Sequence, residues 1–100
     1  MNDYSALLKS THALARELQE LQVVAIAQYT PMVKTLIATG SRDVRQIERT
    51  LDGLLDFCSH ESALNLYRRL CRHYFDIDPV ATASYINAYR ERWDSDEVKP

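Results

Sequence analysis

The sequence predicts an all-α fold, a bundle of four to five helices whose first helix is long and kinked at Pro31, associating as a dimer. Three observations carry this expectation. One apolar stripe keeps helical phase across residues 3–39. The chain holds only two Gly and three Pro among 100 residues, too few for a protein built of hairpins. Three later segments each open on a helix-start signal and gather their apolar residues on one side. With 46% hydrophobic and 26% charged residues the composition is that of an ordinary globular chain, which argues against disorder. A single helical domain is expected over residues 1–93. Residues 94–100 carry no apolar pattern and are expected to form a flexible tail.

The first element organises the rest. At about 100° per residue, Leu7, Leu14, Leu18, Leu21, Ala25, Tyr29, Met32 and Leu36 fall in a sector about 80° wide. Pro31 interrupts the backbone without shifting that phase. Two readings compete: one helix kinked near Gln28, or a break followed by a new helix with Thr30 as N-cap and Pro31 at its first position. The retained phase favours the kinked helix. Asp3 or Ser5 can cap its start, and Gly40 can supply a left-handed stop. Across residues 21–27, Val23, Val24 and Ile26 point in well-separated directions, so the helix needs cover on most sides. A helix of this length spans about 55 Å, whereas a compact domain of this size has a radius of gyration of about 13 Å. Three shorter helices cannot sheathe such a rod. A second copy is therefore expected to do so in part, through Leu7, Leu14, Leu18, Leu21 and Val24, the alternative being a four- or five-helix monomer bent at Pro31.

Ser41 is read as opening the second helix, whose Val44, Ile47, Leu51, Leu54, Leu55 and Cys58 occupy a sector about 100° wide. Its other face, with Arg42, Arg45, Glu48, Arg49, Asp52 and Asp56, reads as solvated, with pairs such as Arg49 to Asp52. A corner at residues 59–62 precedes the third helix, with Ser59 or His60 near its start. That helix sets Ala63, Leu64, Leu66, Tyr67, Leu70, Cys71, Tyr74 and Phe75 against Arg68, Arg69, Arg72 and His73. Asp78 and Pro79 then make an N-cap and a first-position proline for a fourth helix over residues 79–93. Tyr85, Tyr89 and Trp93 recur along it every fourth residue.

Function classes are bounded mostly by what the chain lacks. A net charge of −2 and a pI near 5.9 supply no overall attraction to phosphate or to anionic membrane. The longest apolar run, residues 23–27, is far too short to span a bilayer, and no leader pattern opens the chain. A cytoplasmic location without membrane contact is the expectation, with Cys58 and Cys71 as free thiols. Two Cys-x-His pairs, Cys58 with His60 and Cys71 with His73, offer zinc-type donors. Residues two apart on a helix point about 200° apart, so neither a metal nor any other cofactor is expected. Both thiols sit on apolar faces, where a thiolate is disfavoured. The chain has no phosphate cradle, nucleophile elbow or His-Glu-x-x-His, so no catalytic residues are assigned and no enzyme is expected. A small helical enzyme using Lys9, Arg16 and Lys34 inside a bundle is the third-ranked reading, and their spacing matches no recognisable pattern.

The basic face Arg68, Arg69 and Arg72, followed by Asp78-Pro79 and another helix, has the outline of a helix-turn-helix. The start of the last helix, however, offers base edges only Thr82 and Ser84. Nucleic acid is accordingly the second-ranked partner. Tyrosine and tryptophan join an apolar body to a polar tip and suit half-wet contacts with proteins. Tyr67, Tyr74 and Tyr85 are expected in the core, and Tyr89 and Trp93 at a partner surface ringed by Arg68, Arg72, Arg90 and Arg92. The favoured expectation is a non-catalytic interaction module, a small regulator, adaptor or inhibitor that binds a larger protein.

Overall fold

The computed structural model describes residues 2–94. It contains α1 (Asn2–Ala38), α2 (Val44–Leu55), α3 (Glu61–Phe75) and α4 (Pro79–Trp93), with no strand among the described residues. The all-α expectation holds. No helix among those residues is long and apolar enough to cross a membrane.

α1 runs through Pro31 as one helix of 37 residues. Proline has no amide hydrogen, so the carbonyl of Ala27 loses its helical partner; Ala27 is exposed and water can serve instead. Helix is already present at Asn2, which puts Asp3 and Ser5 inside the first turns and not at the cap. The other end closes as a Schellman motif. Gly40 adopts φ 61°, its amide donates to the Ile37 carbonyl at 3.1 Å, and the Ser41 amide donates to Leu36 at 2.9 Å.

Because Ser41 is taken up by that closure, α2 opens two residues later than the sequence suggested. Asp43 is its N-cap, accepting from the Gln46 amide at 3.2 Å, while Ser41 Oγ accepts from the Asp43 amide at 3.2 Å. His60 is the N-cap residue of α3, its carbonyl accepting from the Leu64 amide at 3.0 Å, but its side chain makes no cap bond; its Nε2 instead meets Gln22 Oε1 of α1 at 2.9 Å. α4 begins as read, with the Asp78 carboxylate accepting from the Ala81 amide at 3.0 Å and Pro79 in the first turn. At its end the Asp94 amide donates to the Arg90 carbonyl. The remainder of the expected tail, 95–100, lies outside the described residues.

α3 is the central element and touches the other three helices. The core joins Ile26, Val33 and Leu36 of α1, Ile47, Leu51 and Leu54 of α2, and Ala63, Leu66, Leu70 and Tyr74 of α3. Tyr67 and Tyr74 are buried as expected, and Tyr85 is half-buried against them. α4 adds one buried residue, Thr82, whose hydroxyl is satisfied by the Asp78 carbonyl at 2.8 Å. It is fastened by polar bonds more than by burial. Tyr67 donates to the Tyr85 carbonyl at 2.7 Å, and the Trp93 indole donates to the Leu55 carbonyl at 2.8 Å. The Arg92 guanidinium meets Asp56 at 2.6 Å, the salt bridge found among the described residues in place of the expected Arg49–Asp52 pair.

Apart from the Gln22–His60 contact, the N-terminal part of α1 stands clear of this body. Every residue from 3 to 24 is exposed, and burial begins only at Ala25 and Ile26. The arm is about 33 Å long. It accounts for a longest dimension of 60 Å and a radius of gyration of 17.4 Å, well above that of a compact chain of this size. The stripe also divides. Ile26 and Val33 face the body about 100° round the helix from the mean direction of Leu7, Leu14, Leu18 and Leu21, while Leu36 keeps the phase of the stripe and is buried beside them. Met32, in phase with the arm, stays 37% exposed.

Candidate functional site: an arginine-rimmed groove

The apolar face of α3 is wider than the core requires. Leu66, Leu70 and Tyr74 point into the body, while Leu64, Tyr67, Cys71 and Phe75 lie further round the same helix. α4 crosses beside this second strip and covers it incompletely. Between the two helices a groove of about 550 Å³ remains, floored by Leu64, Tyr67, Cys71 and Phe75 from α3 and by Thr82, Ile86 and Tyr89 from α4. Arg68, Arg72 and Arg90 stand along its sides, with Asp76 at one end. Phe75 is 56% exposed and Ile86 44%, so the groove presents apolar surface to water.

The buried groups near the groove are held neutral. Burial pushes the Cys71 thiol up to about 11 and the Cys58 thiol, which also feels Cys71, up to about 12. Cys58 Sγ donates to the Leu54 carbonyl at 3.3 Å. The Tyr67, Tyr74 and Tyr85 phenols are raised above their ordinary range, in each case first by burial. Tyr74 also donates to the Glu48 carboxylate, and the nearby Asp52 and Glu48 charges further disfavour the Tyr85 anion. Near neutral pH the thiols and phenols are protonated, so the floor offers no anionic nucleophile. What the arrangement can do is take up an apolar side chain and pair carboxylates with guanidinium groups at its edge.

Of the partner-binding residues read from the sequence, Arg68, Arg72, Tyr89 and Arg90 come together at this groove. Arg92 and Trp93 are occupied differently. The indole is turned to Leu55, and the Arg92 guanidinium carbon lies 5.0 Å from the Trp93 ring centre while pairing with Asp56. Together they fasten the end of α4 to the end of α2, and Trp93 still borders a small depression with Arg68 and Tyr89. Phe75 and Ile86 were not singled out as contact residues. The signal for Phe75 was an apolar face on α3 broader than one core stripe needs; Ile86, on α4, had none of that kind.

Arg68, Arg69, Arg72 and His73 border a more polar concavity on the neighbouring face, where His73 Nε2 meets the Ser41 carbonyl at 2.7 Å. No three of His, Cys, Asp or Glu are grouped to hold a metal among the described residues. Leu7, Leu14, Leu18, Leu21 and Val24 all lie on the exposed arm, as do Lys9 and Arg16, while Lys34 is exposed further along α1. Fold and groove together define a small all-α protein with an open apolar cleft between its last two helices. No family model, curated protein or solved structure matches the chain.

Proposed function

We propose that the chain is a non-catalytic interaction module that binds a larger protein, taking an acidic amphipathic helix of that partner into the α3/α4 groove. The observation that carries this reading is the combination of exposed Phe75 and Ile86 with Arg68, Arg72 and Arg90 around them, in a chain whose net charge is −2. An apolar floor excludes water from the anchor, and rim arginines select for carboxylates beside it. The basic rim is local, so it chooses a segment of the partner and not acidic surfaces in general. The module works as a pair of chains with α1 bent at Pro31, where the Ala27 carbonyl is open to water.

The test uses two synthetic amphipathic helices with the same leucine anchors, one flanked by glutamates and one by lysines, titrated calorimetrically. Binding of the glutamate helix alone, lost in Ile86→Asp and weakened about tenfold by Arg72→Glu, is the expected result. Equal binding of both helices, or of neither, overturns it.

A second reading rests on the neighbouring concavity bordered by Arg68, Arg69, Arg72 and His73, which suits phosphate. Arg69 belongs to that face and not to the groove. Salt-sensitive retardation of duplex DNA that Arg69→Glu abolishes and Ile86→Asp leaves intact would favour a nucleic-acid partner.

A further inference from the structure

We infer that residues 4–25 of α1 pair with the same segment of a second copy as a parallel, two-stranded coiled coil. The inference does not depend on the groove or its occupant. Residues 3–24 make no cover for themselves: all are exposed, and Leu7, Leu14, Leu18 and Leu21 are between 54 and 65% exposed. Helices in proteins draw most of their stability from packing an amphipathic face and not from propensity, so an apolar arm with no cover calls for a surface to lie on.

The arm itself specifies what that surface is. Tyr4, Thr11, Leu18 and Ala25 recur every seventh residue, and Leu7, Leu14 and Leu21 recur every seventh residue three positions further on. This is the spacing of a two-stranded seam, with leucine at every second-set position. Lys9 and Arg16 fall on the opposite side of the helix. The one polar member of the seam, Thr11, already donates its hydroxyl to the Leu7 carbonyl at 2.9 Å, so its burial leaves no orphaned group. In register, Glu17 of one strand flanks Gln22 of the other and Asp3 flanks Leu8, which sets no like charges together.

Area and direction agree with a self-pair. Six exposed seam side chains offering on the order of 100 Å² each would remove about 1,200 Å² from water across both copies, at the lower end of the range of stable interfaces. Ile26 and Val33, where the body first takes hold of α1, are turned about 100° from the arm's leucines, and the seam over residues 4–21 stays open. Gln28 and Met32 are the next seam positions after Ala25, and both remain exposed beside the body, Met32 at 37%. Parallel pairing carries the seam on to Met32, whereas an antiparallel overlay of residues 4–25 runs out before reaching it.

Sedimentation equilibrium of the full chain tests the pairing. The wild type is expected at about 23 kDa, twice the 11.5 kDa of one chain. Leu14→Asp is expected at the single-chain mass with reduced helix content, and Val23→Asp, on the far side of the arm, is expected to stay paired. Thr11→Cys should form an interchain disulfide on mild oxidation and Lys9→Cys should not, since Cys58 and Cys71 are buried and do not compete. A wild-type monomer at tens of micromolar, a larger assembly, or dissociation by Val23→Asp as complete as by Leu14→Asp overturns the pairing. Cross-linking through Lys9→Cys as fast as through Thr11→Cys overturns its register.

Discussion

A Cβ placed on Gly53 would lie 2.1 Å from the Tyr29 hydroxyl oxygen. The phenol of α1 therefore occupies the space that any side chain on this turn of α2 would fill, and its ring lies 6.4 Å from that of Phe57. A glycine inside a helix costs about 1 kcal/mol relative to alanine. Here that cost is offset by the close approach of two helices at the point where the arm meets the body.

Gly53→Ala is accordingly expected to destabilise the fold by about 1–3 kcal/mol despite its better helix propensity, because Tyr29 must move. Combining it with Tyr29→Ala should recover part of that loss, since the clash disappears with the ring. Gly40 offers a control of different cause: nothing lies within 4 Å of a Cβ there, and φ 61° alone opposes a side chain. Gly40→Ala should cost about 1 kcal/mol, and no second substitution opposite it should restore stability. Urea unfolding of these variants and of Tyr29→Ala alone separates space from backbone strain.

Trp93→Phe removes the bond to the Leu55 carbonyl and leaves that acceptor without its indole partner, with an expected loss of about 1–2 kcal/mol. Arg92→Ala is expected to cost less than about 1 kcal/mol, because Arg92 and Asp56 are both largely exposed and water screens their pair. Urea midpoints of the two variants measure the difference. An arginine effect as large as that of the tryptophan would contradict the screening of the exposed Arg92–Asp56 pair by water.

Alkaline pH should unfold the chain through its buried acids. Burial raises Cys71 from 9.0 to about 11 and Cys58 from 9.0 to about 12, so the unfolded chain loses these protons first. A raised folded value stabilises fully below the unfolded value and loses that contribution as pH climbs to the folded one. Stability should therefore be level up to about pH 9 and fall between pH 9 and 12, with the raised tyrosines steepening the decline. Urea midpoints measured across this range give the slope. A disulfide reagent should meanwhile find neither thiol until the chain unfolds.

Much of the architecture was legible because it depends on residues within a few positions of one another. The Gly40 stop, the Asp78–Pro79 start and the inward faces of α2 and α3 follow from backbone sterics and helical periodicity. The start of α2 was misplaced by two residues, because the closing turn of α1 drew on Ser41. At the site, Arg68, Arg72, Tyr89 and Arg90 could be named in advance, since basic and aromatic residues on adjacent faces already suggested a contact surface.

What the sequence determined by itself was local: an all-helical chain, its helix ends, and an N-terminal segment with more apolar surface than it can hide. Tertiary structure alone decided which of that surface is hidden. The crossing of α4 over α3 sets whether Phe75 and Ile86 are core or groove, and a hydrogen bond across 38 positions turns Trp93 inward. The same holds for the division of α1, whose body-facing side is rotated from its leucine stripe. Helical periodicity gives the direction of a side chain about its own axis, but the neighbour that meets it is chosen by packing between segments distant in the chain.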